Sequence, residues 1–155
     1  MKLENIKNVC MKCGAACCKW EGPRVTAKER AKILKADFPD YFIENGRGLY
    51  DMKTKRGICP YLKNRLCSIQ KLKPLACLDW PLLPRIVKGR RKYFVGICPL
   101  TPYLSAKDLK KLKKLAEKEP TNLLKLNIQW RFPSAKRRFK KIKLIPYEKH
   151  MKRMR

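Results

Sequence analysis

Eight cysteines, all between Cys10 and Cys98, constrain the fold of this 155-residue chain more than any other feature. The N-terminal stretch from Met1 to Val9 lacks the apolar core of a signal peptide, and no apolar run approaches the ~20 residues that span a bilayer. We therefore expect a cytoplasmic protein without membrane contact. In that reducing compartment, cysteine clusters are more often metal sites than disulfides, although proteins of hyperthermophiles are an exception.

The first cysteine cluster reads Cys10-x2-Cys13-x3-Cys17-Cys18. A tight turn in a C-x2-C pair can direct two thiolates to one ion, and zinc completes its tetrahedron with two more. Adjacent Cys17 and Cys18 point in different directions in most backbone conformations, so they could serve two metals or two corners of one cluster. Some cysteines could instead simply pack in the core. The predicted metal ligands are Cys10, Cys13, Cys17, Cys18, Cys59, Cys67, Cys77 and Cys98.

The choice of metal is open, because soft thiolates suit both zinc and iron–sulfur clusters. Eight thiolates make two four-sulfur sites, or one cluster with extra cysteines. We expect one or two zinc ions, with a [4Fe-4S] cluster as the alternative. Metal binding of this kind is part of folding.

The cysteine segments resemble a known family. The run from Cys10 to Cys18 is similar to the signature of the zinc- or iron-chelating cysteine-cluster family, which is named for its CxxCxxCC motif. A second block strengthens the resemblance, and Lys73 stands there where the family pattern has arginine. This block comprises Cys59-Pro60, Cys67-Ser68-Ile69, Lys73-Pro74, Cys77 and Trp80-Pro81. The resemblance implies metal binding, and the family's relatives include a flagellin lysine N-methylase for which an iron–sulfur cluster is implied.

Local patterns predict a small α+β fold. Thr26 with Glu29, and Ser105 with Asp108, form capping boxes that open helices, and the second helix has Leu109, Leu112, Leu115 and Ala116 on one face. A short strand is possible around Leu49 to Met52. The runs Arg85 to Lys88 and Lys92 to Ile97 flank Gly89 as a β-hairpin. Another short helix is expected from Pro120 to Trp130.

The distribution of cysteine and charge predicts two domains. Residues 1–104 form a metal-stabilised cysteine-cluster domain with short helices and the hairpin. Residues 105–155 contain no cysteine, and their 18 basic and 4 acidic residues give a net charge of +14. We expect this second part to be a basic helical extension that ends, from Ala135 onward, in a C-terminal arm.

The net charge of +28 predicts a polyanionic partner. Phosphate neutralisation dominates nucleic-acid affinity, and Trp130, Phe132, Phe139 and Tyr147 could stack on unpaired bases. We expect RNA as the partner, most of all ribosomal RNA in a ribosomal particle, and no small-molecule substrate. The predicted nucleic-acid-binding residues are Arg90, Arg91, Lys92, Lys110, Lys111, Lys113, Lys114, Arg131, Lys136, Arg137, Arg138, Lys140, Lys141 and Lys143.

The competing hypothesis is an iron–sulfur metalloenzyme related to protein lysine N-methylases. The sequence contains no G-x-G-x-x-G loop for a nucleotide or S-adenosylmethionine, and the single His150 lies in the basic segment. Asp79 is the acidic residue best placed near a cysteine, where we expect a structural hydrogen bond to the ligand loops. We therefore predict no catalytic residue.

Replacing Cys13 by serine should unfold residues 1–104, because zinc–thiolate sites contribute roughly 10–16 kcal/mol to a fold that is stable by only about 5–15 kcal/mol. Thermal denaturation followed by circular dichroism measures the effect. A cooperative melt near the wild-type temperature would contradict a structural metal held by Cys13.

Overall fold

The structure, a computed structural model, describes residues 3–125 and 133–154. Its helices are α1 Leu3–Cys13, α2 Ala27–Lys35, α3 Leu75–Leu78, α4 Ala106–Ala116, α5 Thr121–Lys125, α6 Pro133–Lys140 and α7 Tyr147–Arg153. Its strands are β1 Val25–Thr26, β2 Phe42–Gly46, β3 Leu49–Met52, β4 Leu62–Lys63, β5 Leu66–Cys67, β6 Leu82–Val87, β7 Arg90–Ile97 and β8 Lys143–Pro146. Short 3₁₀ helices lie at Ala16–Lys19, Gln70–Leu72 and Thr101–Tyr103.

The chain forms two compact units. Within the described residues, the unit that we call the cysteine unit consists of 10–74 and 133–141. The unit that we call the hairpin unit consists of 3–9, 75–125 and 142–154. The predicted domain boundary between residues 104 and 105 stays a prediction.

Antiparallel sheets and short helices occur in both units, which confirms the predicted α+β class. The cysteine unit has a sheet in the order β1-β3-β2 and the two-stranded sheet β4-β5. The hairpin unit has a sheet in the order β6-β7-β8. Among the helices in residues 3–125 and 133–154, none is both long and apolar enough to cross a membrane.

Both predicted capping boxes are present. The Glu29 amide donates to Thr26 Oγ1 at 3.3 Å, and the Thr26 amide donates to Glu29 Oε2 at 2.9 Å. The same reciprocal pair joins Ser105 and Asp108 at the start of α4. Each box satisfies amides that the first helical turn leaves without a partner, which is why α2 and α4 begin where the sequence predicts.

The core of the cysteine unit surrounds Tyr61, which is 1% exposed. Its ring contacts Phe38, Tyr41 and Phe42 at centroid distances of 5.2–6.4 Å, and its hydroxyl donates to the Pro39 carbonyl at 2.7 Å. Such a site suits tyrosine, because the ring is buried while the hydroxyl keeps a partner. The rest of this core comprises Val25, Ile33, Phe42, Met52, Cys59 and Ile69.

The core of the hairpin unit lies between α4 and the β6-β7-β8 sheet. Leu109 and Ala116 are buried on the face that the helical pattern predicts, and Leu112 packs against the same cluster. Gly96 of β7 leaves space for the Trp80 indole, because a Cβ atom there would lie 2.6 Å from Trp80 Cη2. The remaining buried members of this core are Leu82, Val95, Leu104 and Tyr147.

The C-terminal residues differ from the predicted arm. They form α6, β8 and α7, and β8 pairs with β7 with Val95 opposite Ile145. Ile145 and Tyr147 are both buried, so the alternation of basic and apolar residues reflects a strand edge and a helix start. The predicted helix through Trp130 is present as α5 up to Lys125, and residues 126–132 lie outside the described residues.

Arg91 of β7 stabilises the C-terminal end of α4. Its Nη1 donates to the carbonyls of Ala116 and Glu117 at 3.2 and 2.8 Å. Its Nη2 donates to the Glu119 carbonyl at 2.8 Å and to Thr121 Oγ1 at 3.1 Å. Carbonyls at a helix end have no intrahelical partner and carry partial negative charge, so a guanidinium satisfies them well.

Replacing Arg91 by alanine should lower the free energy of unfolding by about 1–3 kcal/mol, because charge-assisted hydrogen bonds to the carbonyls at the end of α4 are lost. Arg90, its exposed neighbour, provides the matched control, and Arg90→Ala should change stability by no more than about 0.5 kcal/mol. Urea denaturation measures both. Equal effects of the two variants would show that the cap is not stabilising.

Candidate metal centre

The segment that carries the first four cysteines is a helix followed by a tight turn. Cys10 and Cys13 lie three residues apart on the last turn of α1, so they share one face of the helix, and a helical turn replaces the tight turn expected for this pair. The Cys13 thiol donates to the Cys10 carbonyl at 3.5 Å. Gly14 and Ala15 then adopt φ values of 69° and 51°. A left-handed alanine costs about 1–3 kcal/mol and is typical of functional sites.

This turn directs Cys17 and Cys18, in the 3₁₀ helix Ala16–Lys19, toward the core of the cysteine unit. The Cys59 amide donates to the Cys18 carbonyl at 2.8 Å, and the Glu21 amide donates to the Gly57 carbonyl at 2.9 Å. These two bonds hold the segment of residues 18–21 against the segment of residues 57–59. The second of these segments carries Cys59, which is 8% exposed and contacts Met52 Sδ with its sulfur at 3.3 Å.

Cys67 completes a group of four thiols that we call the thiol quartet, Cys17, Cys18, Cys59 and Cys67. It lies in β5 opposite Leu62 and packs, like Cys18, against the core that contains Cys59. Cys17 is hydrogen-bonded to Cys18, and it interacts electrostatically with Cys59 and Cys67. Six of the eight predicted ligands therefore lie in the cysteine unit, and four of them form the quartet.

The environment of the quartet raises the pKa of three of its thiols, Cys17, Cys59 and Cys67. The pKa of Cys17 is raised well above its ordinary value, chiefly by the hydrogen bond with Cys18 and then by burial. Burial raises the pKa of the Cys59 thiol to about 11 and also raises that of Cys67. The Lys73 ammonium acts in the opposite direction on the pKa of Cys17 and Cys67, because a nearby cation favours the thiolate.

The chemistry of this donor set fits zinc or iron. Four soft sulfur donors lie in neighbouring segments of one unit, and a divalent cation bound by them would reverse the thiol pKa shifts and deprotonate its ligands. Within residues 3–125 and 133–154, no three cysteine, histidine, aspartate or glutamate side chains stand close enough together to hold one ion. The quartet is therefore a set of neighbouring thiols that would hold the metal, with Lys73 beside them.

Cys77 and Cys98 belong to the hairpin unit. Cys77 lies in α3, and Cys98 follows β7 directly. Thr101, which the sequence reasoning missed, holds the Cys98 turn: its Oγ1 accepts from the Cys98 amide at 3.0 Å and donates to the Gly96 carbonyl at 2.7 Å. The Thr101 hydroxyl is also 3.6 Å from Cys98 Sγ. A threonine three residues after a cysteine in a turn is the signal that could have indicated it.

Asp79, expected to hydrogen-bond the ligand loops, has a different partner in the hairpin unit. Its side chain is 1% exposed and hydrogen-bonded to that of Glu119, which is 6% exposed. Burial, then this hydrogen bond, then the charge of Glu119 raise the pKa of Asp79 to about 10. Asp79 is therefore protonated at neutral pH. Sequence patterns did not indicate Glu119, since it follows a helix in which charged residues are frequent.

The predicted nucleic-acid-binding residues fall into two groups. Three are engaged in the fold: Arg91 at the end of α4, Arg138 with two backbone carbonyls, and Lys113 with Glu117 and the Tyr93 ring. Arg131 lies outside the described residues. The exposed members are Arg90, Lys92, Lys110, Lys111, Lys114, Lys136, Arg137, Lys140, Lys141 and Lys143.

Two aromatic residues predicted to stack on bases have contacts within the protein. Phe139 is partly buried and meets Trp20 edge to face at a centroid distance of 5.4 Å, and Tyr147 is 8% exposed in the core of the hairpin unit. The burial of Tyr147 counts against stacking by this residue, and stacking by Phe139 stays a prediction. Trp130 and Phe132 lie outside the described residues. Tyr103, which the sequence reasoning missed, is 64% exposed.

The fold and the thiol quartet define a small cysteine-rich α+β protein. Comparison with protein-family models matches residues 9–99 to the family CxxCxxCC, described as "Putative zinc- or iron-chelating domain". The match covers 91 of the 155 residues and includes all eight cysteines, so the chain belongs to this family. Searches against curated proteins and against solved structures returned no match.

The Asp79 pair predicts a pH dependence of stability. Because the folded-state pKa of Asp79 lies above its ordinary value of 3.8, the folded protein retains a proton that the unfolded chain releases. The contribution of this group to the free energy of unfolding therefore falls as pH rises from about 4 to about 10. Asp79→Asn, which keeps a hydrogen-bonding amide, should be more stable than the wild type near neutral pH and approach it in acid.

Asp108 provides a control, because its pKa is shifted in the direction opposite to that of Asp79. Hydrogen bonds from Ser105 lower the pKa of Asp108 to about 2, so Asp108→Asn should lose about 0.5–2 kcal/mol near neutral pH as its cap weakens. Urea denaturation of both variants across pH measures the two slopes. A wild-type pH profile in Asp79→Asn would contradict a protonated Asp79.

Proposed function

We propose that the protein is a metal-binding protein of the cytoplasm in which the thiol quartet, Cys17, Cys18, Cys59 and Cys67, holds zinc. The observation that carries this proposal is the pairing of two distant cysteine-bearing segments on one core, in a chain of a family described as zinc- or iron-chelating. An iron–sulfur cluster is the alternative for the same thiols. Cys10, Cys13, Cys77 and Cys98 remain candidates for further ligands.

The metal has a structural role in this proposal. The short elements around the quartet include 3₁₀ helices and two-residue strands, which contribute few backbone hydrogen bonds of their own. Small metal-binding domains of this kind gain their folding free energy from the metal. Oxidation of the thiols or removal of the metal would then loosen the same segments.

We further propose that the protein binds RNA, as a protein associated with ribosomal RNA. The support is electrostatic: a net charge of +28, with exposed lysines along α4 at Lys107, Lys110, Lys111 and Lys114, and Lys118 just after it. Phosphate contacts of this type supply the sequence-independent part of nucleic-acid affinity. The exposed ring of Tyr103 precedes α4 and is available for stacking on a base.

Metal and sulfide analysis of the natively purified protein tests the first part of the proposal. Zinc without sulfide is the expected result, and equimolar iron and sulfide would select the cluster alternative. A protein that is isolated without either metal and contains disulfides would contradict metal binding.

Sedimentation with ribosomal particles tests the second part. The wild type should pellet with the particles at low salt and be released at high salt, because counterions compete for the phosphates. Reversing three charges on α4, Lys110→Glu, Lys111→Glu and Lys114→Glu, should abolish pelleting at intermediate salt.

The matched control is the triple variant Lys28→Glu, Lys32→Glu and Lys35→Glu, which reverses three exposed charges on α2. It should pellet more strongly than the α4 variant at intermediate salt concentrations. Equal sedimentation of the α2 and α4 variants would mean that binding depends only on the total charge and not on α4. A wild type that stays in the supernatant at all salt concentrations would contradict ribosome association.

A further inference from the structure

Helix α6 is attached to the segments that carry the thiol quartet. Arg138 donates to the Lys19 carbonyl from Nε at 2.8 Å and from Nη2 at 2.6 Å. The same Nη2 donates to the Arg56 carbonyl at 3.2 Å. One guanidinium therefore joins the chain just after Cys18 to the chain just before Cys59, although it lies far from both in sequence.

A second contact supports this attachment without any charge. Phe139 packs edge to face on Trp20 with ring centroids 5.4 Å apart and an interplanar angle of 81°. Aromatic pairs in this geometry contribute about 0.5–1.5 kcal/mol beyond the burial of their area. Trp20 follows Lys19, so both contacts of α6 fall on the turn that bears Cys17 and Cys18.

The exposed residues of α6 and its end are cationic. Arg138 and Phe139 are partly buried by their contacts, whereas Lys136, Arg137, Lys140 and Lys141 are exposed. Arg56, whose carbonyl accepts from Arg138, is exposed as well. We call these five residues the α6 basic surface. These five side chains are available to contact phosphate groups. Arg138 is not counted with them, because its guanidinium donates to the Lys19 and Arg56 carbonyls.

We propose that α6 is an RNA-binding helix positioned by the thiol quartet, so that metal binding and RNA binding through the α6 basic surface are coupled. Arg138 and Phe139 are the positioning residues. This inference rests on the proposed function. Metal would hold the two cysteine segments together and thereby fix the Lys19 and Arg56 carbonyls at the spacing that Arg138 bridges. Linkage is reciprocal, so RNA bound to α6 should in turn slow the release of metal.

Neighbouring arginines allow this idea to be separated from a simple charge effect. Arg137→Ala and Arg138→Ala each remove one guanidinium from α6. Arg137→Ala should lower RNA affinity and reduce the salt slope by roughly 1, and it should leave metal release unchanged. Arg138→Ala should in addition weaken metal binding by roughly 10–100-fold, as loss of a residue supporting metal ligands does.

Phe139→Ala removes the aromatic contact without changing the charge. It should weaken both metal and RNA binding while the salt slope stays at the wild-type value, and Phe139→Leu should restore part of both. The double variant Lys136→Glu and Lys140→Glu should lose RNA binding and retain metal normally. Metal release is followed with a chromophoric chelator, and RNA binding is followed by fluorescence anisotropy with single-stranded poly(U) and with a duplex RNA of equal length.

The wild type distinguishes failure of this inference from failure of the proposed function. If the wild type binds metal and RNA, but removal of the metal leaves RNA affinity and the hydrogen exchange of α6 amides unchanged, the coupling is wrong while both binding activities stand. Identical metal release by Arg137→Ala and Arg138→Ala would also overturn it. A wild type that binds neither metal nor RNA would overturn the proposed function and the coupling together.

Discussion

The hydrogen bond from the Cys59 amide to the Cys18 carbonyl is the contact on which the cysteine unit depends. It aligns two segments that are distant in sequence, and the Glu21–Gly57 bond beside it sets the same alignment. Through this pairing, Cys17 comes within electrostatic range of Cys59. The pKa of Cys17 is raised by its hydrogen bond with Cys18 and by burial, and burial raises the pKa of Cys59 and Cys67, so a metal bound by these thiols would have to displace their protons. The backbone pairing therefore places the four thiols in neighbouring segments of one unit.

The sequence predicts the local features of this fold well and the non-local ones poorly. Two capping boxes mark helix starts, because a cap involves residues three positions apart. The hairpin of β6 and β7 follows from Gly89 and two β-rich runs. By contrast, β8 finds its partner β7 far along the chain, and Arg138 bonds Lys19 across 119 residues. Hydrophobic periodicity does not predict contacts between residues so far apart. On the sequence alone, the alternating basic and apolar residues after Ala135 therefore indicate an extended arm.

The same limit applies to the candidate site. Spacing identifies the cysteines as a metal-binding set, but which of them share a unit depends on the path of the chain. Adjacent Cys17 and Cys18 could have served different sites, and the structure keeps both with Cys59 and Cys67. The basic residues illustrate the same problem. Arg91 and Arg138 lie in basic runs, and the sequence does not distinguish an arginine that donates to backbone carbonyls from a neighbour that is free to contact phosphate. Only the fold separates the two uses.

Most of the few acidic side chains form contacts within the fold, so they neutralise little of the positive charge on the surface. Of the 12 acidic residues, Glu29 and Asp108 form caps, and Asp40, Asp51 and Glu117 form ion pairs. Glu21, Asp79 and Glu119 are buried. Most carboxyl groups are thus used within the fold, and each ion pair neutralises only one of the 40 basic residues. Many of the other lysines and arginines among the described residues are exposed, and their mutual repulsion opposes folding. A polyanion bound across them removes that repulsion, so binding and stability favour the same partner.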